Sequence, residues 1–203
     1  MSQLKEVPCH HVDCPALGAV AVLAQQNNFG YALVGGAVRD AYHHRTATDH
    51  DIAVWGHGSR NDITAIQVAL EELGYVEESY HDENPDYPEE SDASDGRYEC
   101  IIQYSHEKYT CVDVLVFSSE FSQLSDVLDS FDYNLNQFAI QFDSTALSQR
   151  QTAYYGGDQL FVLKQLRSSK VTEERAHRMQ AMACDYGWKV EREDVCRQLP
   201  LPQ

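Results

Sequence analysis

Two glycines followed, thirteen residues on, by a pair of alternating aspartates constrain this chain more than any other feature. Residues 33–54 read LVGGAVRDAYHHRTATDHDIAV. The apolar run Tyr31–Val34 predicts a short strand, Gly35-Gly36 a sharp turn, and Ala37 to His44 a helix. A strand that breaks at glycine into a helix leaves backbone N–H groups unpaired. The helix dipole favours an anion there, and glycine lets it approach closely. Such a turn is a phosphate cradle, or only a turn. His50–Val54 predicts a second strand. Asp49 and Asp51 then project from one face, roughly 7 Å apart along the chain, with His50 on the other. Two carboxylates beside a phosphate cradle suit Mg²⁺ or Mn²⁺ next to a triphosphate. The same pair also suits a solvated strand end.

A third acid fits that geometry. In Cys111–Phe117, CVDVLVF, Asp113 is the only charge in a run otherwise apolar on both faces. Burying a carboxylate among valines is costly unless a cation or a donor offsets its lost hydration. A metal does that, and so does a structural partner.

The rest of the chain alternates strands and helices. Pro15 opens a helix carrying Leu17, Val20, Leu23 and Ala24, which Asn27-Asn28-Phe29-Gly30 ends. Ile63, Ile66, Leu70 and Leu73 predict another helix, stopped by Gly74. Tyr98–Tyr104 and Tyr109–Phe117 predict a hairpin, and Asn134–Phe142 with Thr152–Tyr155 a second pairing. From Asp158 onward, Leu160, Leu163 and Leu166, then Ala176, Met179 and Met182, predict helices only. The expected class is α+β: a mixed-sheet head over residues 1–157 and a helical segment over 158–203.

Charge narrows the partners. The formal net charge is −17, with 25 acids against 6 Lys/Arg in residues 1–149 and 7 against 9 in residues 150–203. So acidic a body repels nucleic-acid backbones over most of its surface. Residues 81–96, HDENPDYPEESDASDG, carry seven acids and no Lys or Arg, which predicts a solvated loop. Lys164, Arg167, Lys170, Arg175 and Arg178 form the one cationic cluster, suited to phosphates or to an ordinary solvated helix face. No signal-like or bilayer-spanning run occurs, so a soluble, cytoplasmic protein with reduced thiols is expected. Cys9-His10-His11-Val12-Asp13-Cys14 is the one metal-like pattern among the cysteines. It lacks a second pair at zinc-finger spacing.

GGAVRD followed by DHDI resembles the signature of the class II CCA-adding enzymes and bacterial poly(A) polymerases, in the polymerase-β-type nucleotidyltransferase superfamily. That pattern is Leu-Val-Gly-Gly-x-Val-Arg-Asp with thirteen positions from the second glycine to the first aspartate. Gly36 and Asp49 are thirteen apart here, and Arg45 stands where the family commonly has arginine. Asp132–Ala139, DYNLNQFA, resembles the later part of the family's Arg-Arg-Asp-Phe-Thr-Ile-Asn-Ala-Leu-Ala motif. Gly156–Leu160 is similar to its Gly-Gly-x-x-Asp-Leu run, one residue shorter. Glu174-Arg175-Ala176-His177-Arg178 resembles its Glu-Asp-x-x-Arg base-reading motif without the aspartate. The resemblance spans about residues 16–188.

It implies transfer of a nucleoside monophosphate from an NTP to a hydroxyl, with pyrophosphate released. Asp49, Asp51 and Asp113 would hold two Mg²⁺ (or Mn²⁺) ions. Gly35, Gly36 and Arg39 would receive the triphosphate, Asp132 and Asn136 would lie by the ribose, and Arg178 would face the base. Asp40 is expected to pair with Arg39 or nearby backbone. Ser130 and Phe131 replace the family's two arginines, so triphosphate grip is weaker or comes from elsewhere. Arg175 replaces the base-reading aspartate, which unsettles the family's choice of C and A. No counterpart of the family's body and tail follows, so a head-only enzyme is expected. Its acceptor would be a protein, a small molecule or a short RNA end, with intact tRNA requiring a partner subunit. Two rival readings remain: a degenerate nucleotide-binding module acting as an inhibitor or antitoxin-like partner, and the catalytic part of a tRNA 3′-end-adding complex.

Overall fold

The computed structural model describes residues 5–6, 12–56, 60–82, 96–143, 146–156, 160–167 and 171–190. The metal-like residues Cys9, His10 and His11, most of the acidic 81–96 stretch and the last thirteen residues lie outside that set. Cys14, Cys100, Cys111 and Cys184 form no disulfide. No described helix is long and apolar enough to cross a membrane.

The first helix, α1 (Pro15–Asn27), starts at Pro15 because a missing N–H costs nothing in the first turn. It stops where Asn28 turns left-handed, at φ 58°. Gly30 then opens a strand directly beneath Trp55, where a Cβ would stand 2.1 Å from the indole. The glycine that ends the helix in the sequence is thus also required by packing.

Eight strands form one mixed sheet. In chain order they are β1 (Lys5–Glu6), β2 (Gly30–Val34), β3 (Asp49–Trp55), β4 (Val76–Asp82), β5 (Tyr98–Ser105), β6 (Cys111–Phe117), β7 (Phe138–Asp143) and β8 (Ala146–Tyr154). Their spatial order is β1-β8-β7-β2-β3-β6-β5-β4. β3 and β6 are central and parallel, and the other pairings are antiparallel. This is the α+β, mixed-sheet architecture expected from the sequence.

Strand alternation gives the sheet two unlike faces. Leu33, Ile52, Val54, Val112, Val114 and Val116 belong to the larger core cluster, together with Leu17 and Val20 of α1 and Ile63, Ile66 and Leu70 of α3 (Arg60–Glu72). Ala32, Val34, Ala53, Trp55 and Phe117 belong to a smaller one with Val127 and Leu128 of α4 (Leu124–Asp129). The second face is the one on which Asp51 and Asp113 stand.

Two sequence expectations fail locally, and one strand was not anticipated. β4 was hidden because VEESYHD is polar; it pairs as an edge strand with β5, and Val76 stays exposed. Asn134–Asn136 is a single 3-10 turn rather than strand. Leu160, Leu163 and Leu166 do not form a helix: Val162–Leu163 is a strand, β9, pairing in parallel with β10 (Lys189–Val190). The cause is tertiary. The buried Asn134 amide donates to the Val162 carbonyl (2.8 Å) and accepts from the Lys164 N–H (2.8 Å), so this backbone is bonded in extended form. Phe161 adds a left-handed φ of 72°.

The helix predicted around Ala176–Met182 is α5 (Glu173–Asp185), capped by the Thr172 hydroxyl accepting from the Arg175 N–H at 3.1 Å. Met179, Ala183 and Trp188 bury into the larger cluster. Polar bonds add to that packing. Arg45 donates to the Asp185 carbonyl, the Tyr186 hydroxyl to Asp40 (2.6 Å), and the Trp188 indole to His43 (3.1 Å).

Candidate active site

Strand register decides which acids meet. β2 runs antiparallel to β3 with Val34 opposite Asp51, so the turn after β2 lies at the same sheet edge as the start of β3. β6 runs parallel to β3 with Asp113 directly opposite Asp51. Residues 51 and 113 are thereby neighbours on one face. His50 points away and is buried, while Asp49 is exposed at the strand end.

Gly35 sits between strand and helix with φ +69°, where a side chain would be strained. A Cβ there would stand 3.3 Å from Asp51 Oδ2. The expectation of a free amide at this glycine needs correction. The Gly35 N–H donates to the Phe138 carbonyl at 3.0 Å. Gly35 therefore contributes close approach, and any amide offered to an anion comes from Gly36 onward in α2 (Gly36–Tyr42).

One cavity of about 620 Å³ is lined by all nine residues singled out in the sequence: Gly35, Gly36, Arg39, Asp49, Asp51, Asp113, Asp132, Asn136 and Arg178. These come from five separate segments. Their shared wall is a product of the sheet register and of α5 docking.

The charges in it are unevenly matched. Burial, reinforced by Asp49 and then Asp113, pushes the Asp51 carboxyl up to about 7. Asp113 is also raised, first by burial, although Gln103 donates to its Oδ2 at 3.2 Å. Arg39 and Arg175 pull Asp51 the other way without cancelling the effect. A cluster whose own protein cations leave an acid so far raised is chemically suited to a divalent ion. Among the described residues, no three acids, histidines or cysteines converge closely enough to enclose one as they stand.

Arg39 is almost wholly buried. Its Nε and Nη2 bond Asp40 Oδ1 (3.0 and 2.9 Å), and its Nη1 donates to Asn136 Oδ1 (2.9 Å). The guanidinium also lies 5.1 Å from the Tyr186 ring centre. Asp40 thus pairs with Arg39, and Arg39 lines the cavity as part of a bonded network rather than as a loose cation.

Sequence reasoning passed over Arg97. Arg97 is buried on the cavity wall and donates to the Ser130 carbonyl at 2.8 Å; Arg167 reaches the same oxygen at 3.2 Å. Ser130 is one of the two positions where the resembled family has arginine. The available signal was that Arg97 is the single arginine between Arg60 and Arg150, set beside the most acidic stretch. Arg175 pairs with Asp132 at 3.2 Å and lines the same wall as Arg178. Arg175 is half-buried there and Arg178 exposed.

No family model and no curated protein matches the chain. Solved structures do. A Thermotoga maritima CCA-adding enzyme complexed with tRNA is 16% identical with a TM-score of 0.64, over 95% of this chain and 44% of that one. A tRNA-processing enzyme in its apo form is 19% identical with a TM-score of 0.62, over 93% and 46%. A tRNA nucleotidyltransferase complexed with a primer tRNA and an incoming ATP analog is 20% identical with a TM-score of 0.57, over 85% and 46%. The fold is that of a nucleotidyltransferase head. The chain spans less than half the length of each of these structures.

Proposed function

We propose that this chain is a nucleotidyltransferase that moves a nucleoside monophosphate from an NTP to a hydroxyl acceptor, releasing pyrophosphate. The observation that supports it is the register of two parallel strands, which brings Asp51 and Asp113 side by side on a cavity wall shared with Gly35 and Gly36. Asp49, Asp51 and Asp113 would hold Mg²⁺ or Mn²⁺, which when bound supplies acidification of the acceptor hydroxyl and charge neutralisation at the pyrophosphate. Gly35 keeps side chains away from the phosphates. Arg97 takes the place of the arginines lost at Ser130 and Phe131, since it reaches the cavity from the start of β5. Arg39, locked by Asp40 and Asn136, positions the Asn136 amide toward the ribose.

The acceptor is a protein, a small molecule or a short RNA end. A chain with a net charge of −17 has little cationic surface for a whole tRNA, and intact tRNA would need a partner subunit. In this reading residues 1–157 are the head and residues 158–203 a neck-like segment, of which α5 is the described helix. The degenerate-module reading is less favoured, because an inactive site has no evident need for Asp49, Asp51 and Asp113 on one cavity wall.

Incubation with each α-labelled NTP, Mg²⁺ or Mn²⁺, and mixed cellular RNA and protein tests the reading. Label should transfer, and Asp49→Ala and Asp51→Ala should each reduce it about 10³-fold or more. Transfer surviving both substitutions would rule out the acid site. NTP binding without transfer would favour the binding module.

A further inference from the structure

Strand register carries the acid row beyond the two facing aspartates. Asp51 faces Asp113 across β3 and β6, Asp113 faces Gln103 across β6 and β5, and Gln103 faces Ser79 across β5 and β4. Residues directly opposite on adjacent strands project from the same face, so these side chains form one row that ends at the edge strand. Hydrogen bonds run along it in one direction. The Ser79 hydroxyl donates to Gln103 Oε1 at 2.8 Å, and Gln103 Nε2 donates to Asp113 Oδ2 at 3.2 Å. Gln103 lines the cavity beside Asp113 and Asp51.

The row depends on an irregularity in β4. Glu77 stands opposite Tyr104 and Ser79 opposite Gln103, so Glu78 is an extra residue bulged out of the ladder. Regular pairing onward from Glu77 would set Glu78 against Gln103 instead. A carboxylate there would accept from the Gln103 Nε2 and turn the amide round, so that Oε1 would face Asp113 with no donor. Glu78 accepts from the Ser105 hydroxyl. The bulge thus substitutes a hydroxyl for an acid on this row, and the hydroxyl fixes the amide with its donor toward Asp113.

We propose that Gln103 is the positioning residue for Asp113 as a metal ligand, and that Ser79 acts only through Gln103. The inference rests on the metal-dependent transfer proposed above. By occupying Oδ2 the amide restrains the carboxylate and leaves Oδ1 for an ion. A hydrogen-bonded carboxylate is held in one orientation before the ion arrives. The donor is neutral, so the negative charge of Asp113 stays available, whereas an arginine or lysine in its place would compete with the metal for it.

Titration of the full chain with Mn²⁺, followed by the electron paramagnetic resonance signal of the free ion, tests this without turnover. Gln103→Ala should weaken Mn²⁺ binding about tenfold and Ser79→Ala about threefold. The double variant should bind no more weakly than Gln103→Ala alone, because Ser79 reaches the metal only through the amide. Gln103 is exposed, so the urea midpoint should not move. Glu78→Ala removes an acid from the same strand but outside the row, and should leave the affinity within about twofold. Unchanged affinity in Gln103→Ala, additive losses in the double variant, or a loss in Glu78→Ala as large as in Ser79→Ala overturns the positioning role. Label transfer that Asp51→Ala still abolishes would then leave the nucleotidyltransferase reading standing. Absence of Mn²⁺ binding by the unmodified protein overturns the metal site and this inference together.

Discussion

Two charged regions lie within one cavity's reach, and they are built on opposite terms. On β3 and β6, Asp51 and Asp113 stand side by side with Asp49 at the strand end, and Asp51 is driven to about 7. On α2, Arg39 and Asp40 are also largely buried, at 8% and 15% side-chain exposure, yet every strong group there has a partner: Arg39 with Asp40 and Asn136, Asp40 with the Tyr186 hydroxyl. The α2 network uses charge to fasten α5 to the head. The strand acids are compensated less by protein cations, Arg39 and Arg175 lowering Asp51 without cancelling the effect of burial.

The comparison breaks most visibly at Asp40. Asp40→Ala leaves the Arg39 guanidinium buried without its carboxylate and removes the acceptor of Tyr186, so a loss of about 3 kcal/mol in urea unfolding is expected. If Asp40→Ala unfolds at an unchanged urea concentration while label transfer collapses, Asp40 belongs with the active acids and the division between regions fails.

The strand acids should respond with the opposite sign. A carboxyl raised from 3.8 to about 7 makes the folded state bind more protons than the unfolded chain between those values. Stability of the metal-free protein therefore falls as pH climbs through that window and is lowest above about 7. Asp51→Asn removes the penalty and should stabilise the metal-free protein at pH 8 by about 2 kcal/mol, a figure halved for solvent screening. No gain at pH 8, together with no change in slope between pH 4 and 7, would mean that the acids are already relieved by protein groups.

The smallest effect sits where α5 ends. Burial first, then Arg39 and Arg45, lowers the His43 pKa, and its Nε2 accepts from the Trp188 indole N–H. A lowered histidine makes the unfolded chain the greater proton binder just below 6.5, so this stability is present above that pH and is lost as pH falls. Trp188→Phe should cost about 1 kcal/mol at pH 7.5 and less at pH 5.5. Measuring it in the Asp51→Asn background keeps the two opposite slopes apart. An equal cost at both pH values would show that the indole's packing, rather than its bond to His43, is what matters.

Much of the site was legible because its parts are local. A glycine turn between a strand and a helix is visible in LVGGAVRD, and period-two projection puts Asp49 and Asp51 on one face from spacing alone. Asp113 was legible through its isolation among valines. Arg97 was not, since nothing along the chain reveals that it will approach Ser130. Nor was the extended form of 160–167, because Leu160, Leu163 and Leu166 keep helical spacing while the decisive amide belongs to Asn134, some thirty residues away.

The amino-acid sequence by itself determined the alternation of strands and helices, the glycine break, and which faces carry acid, because these depend on near-neighbour sterics and periodic burial. Only the tertiary structure decided that Asp113 stands opposite Asp51, that Gly35 spends its amide on Phe138, and that Arg175 and Arg178 share a wall with them. Register and helix docking are set by the sum of many long-range contacts. No single stretch of chain encodes that sum.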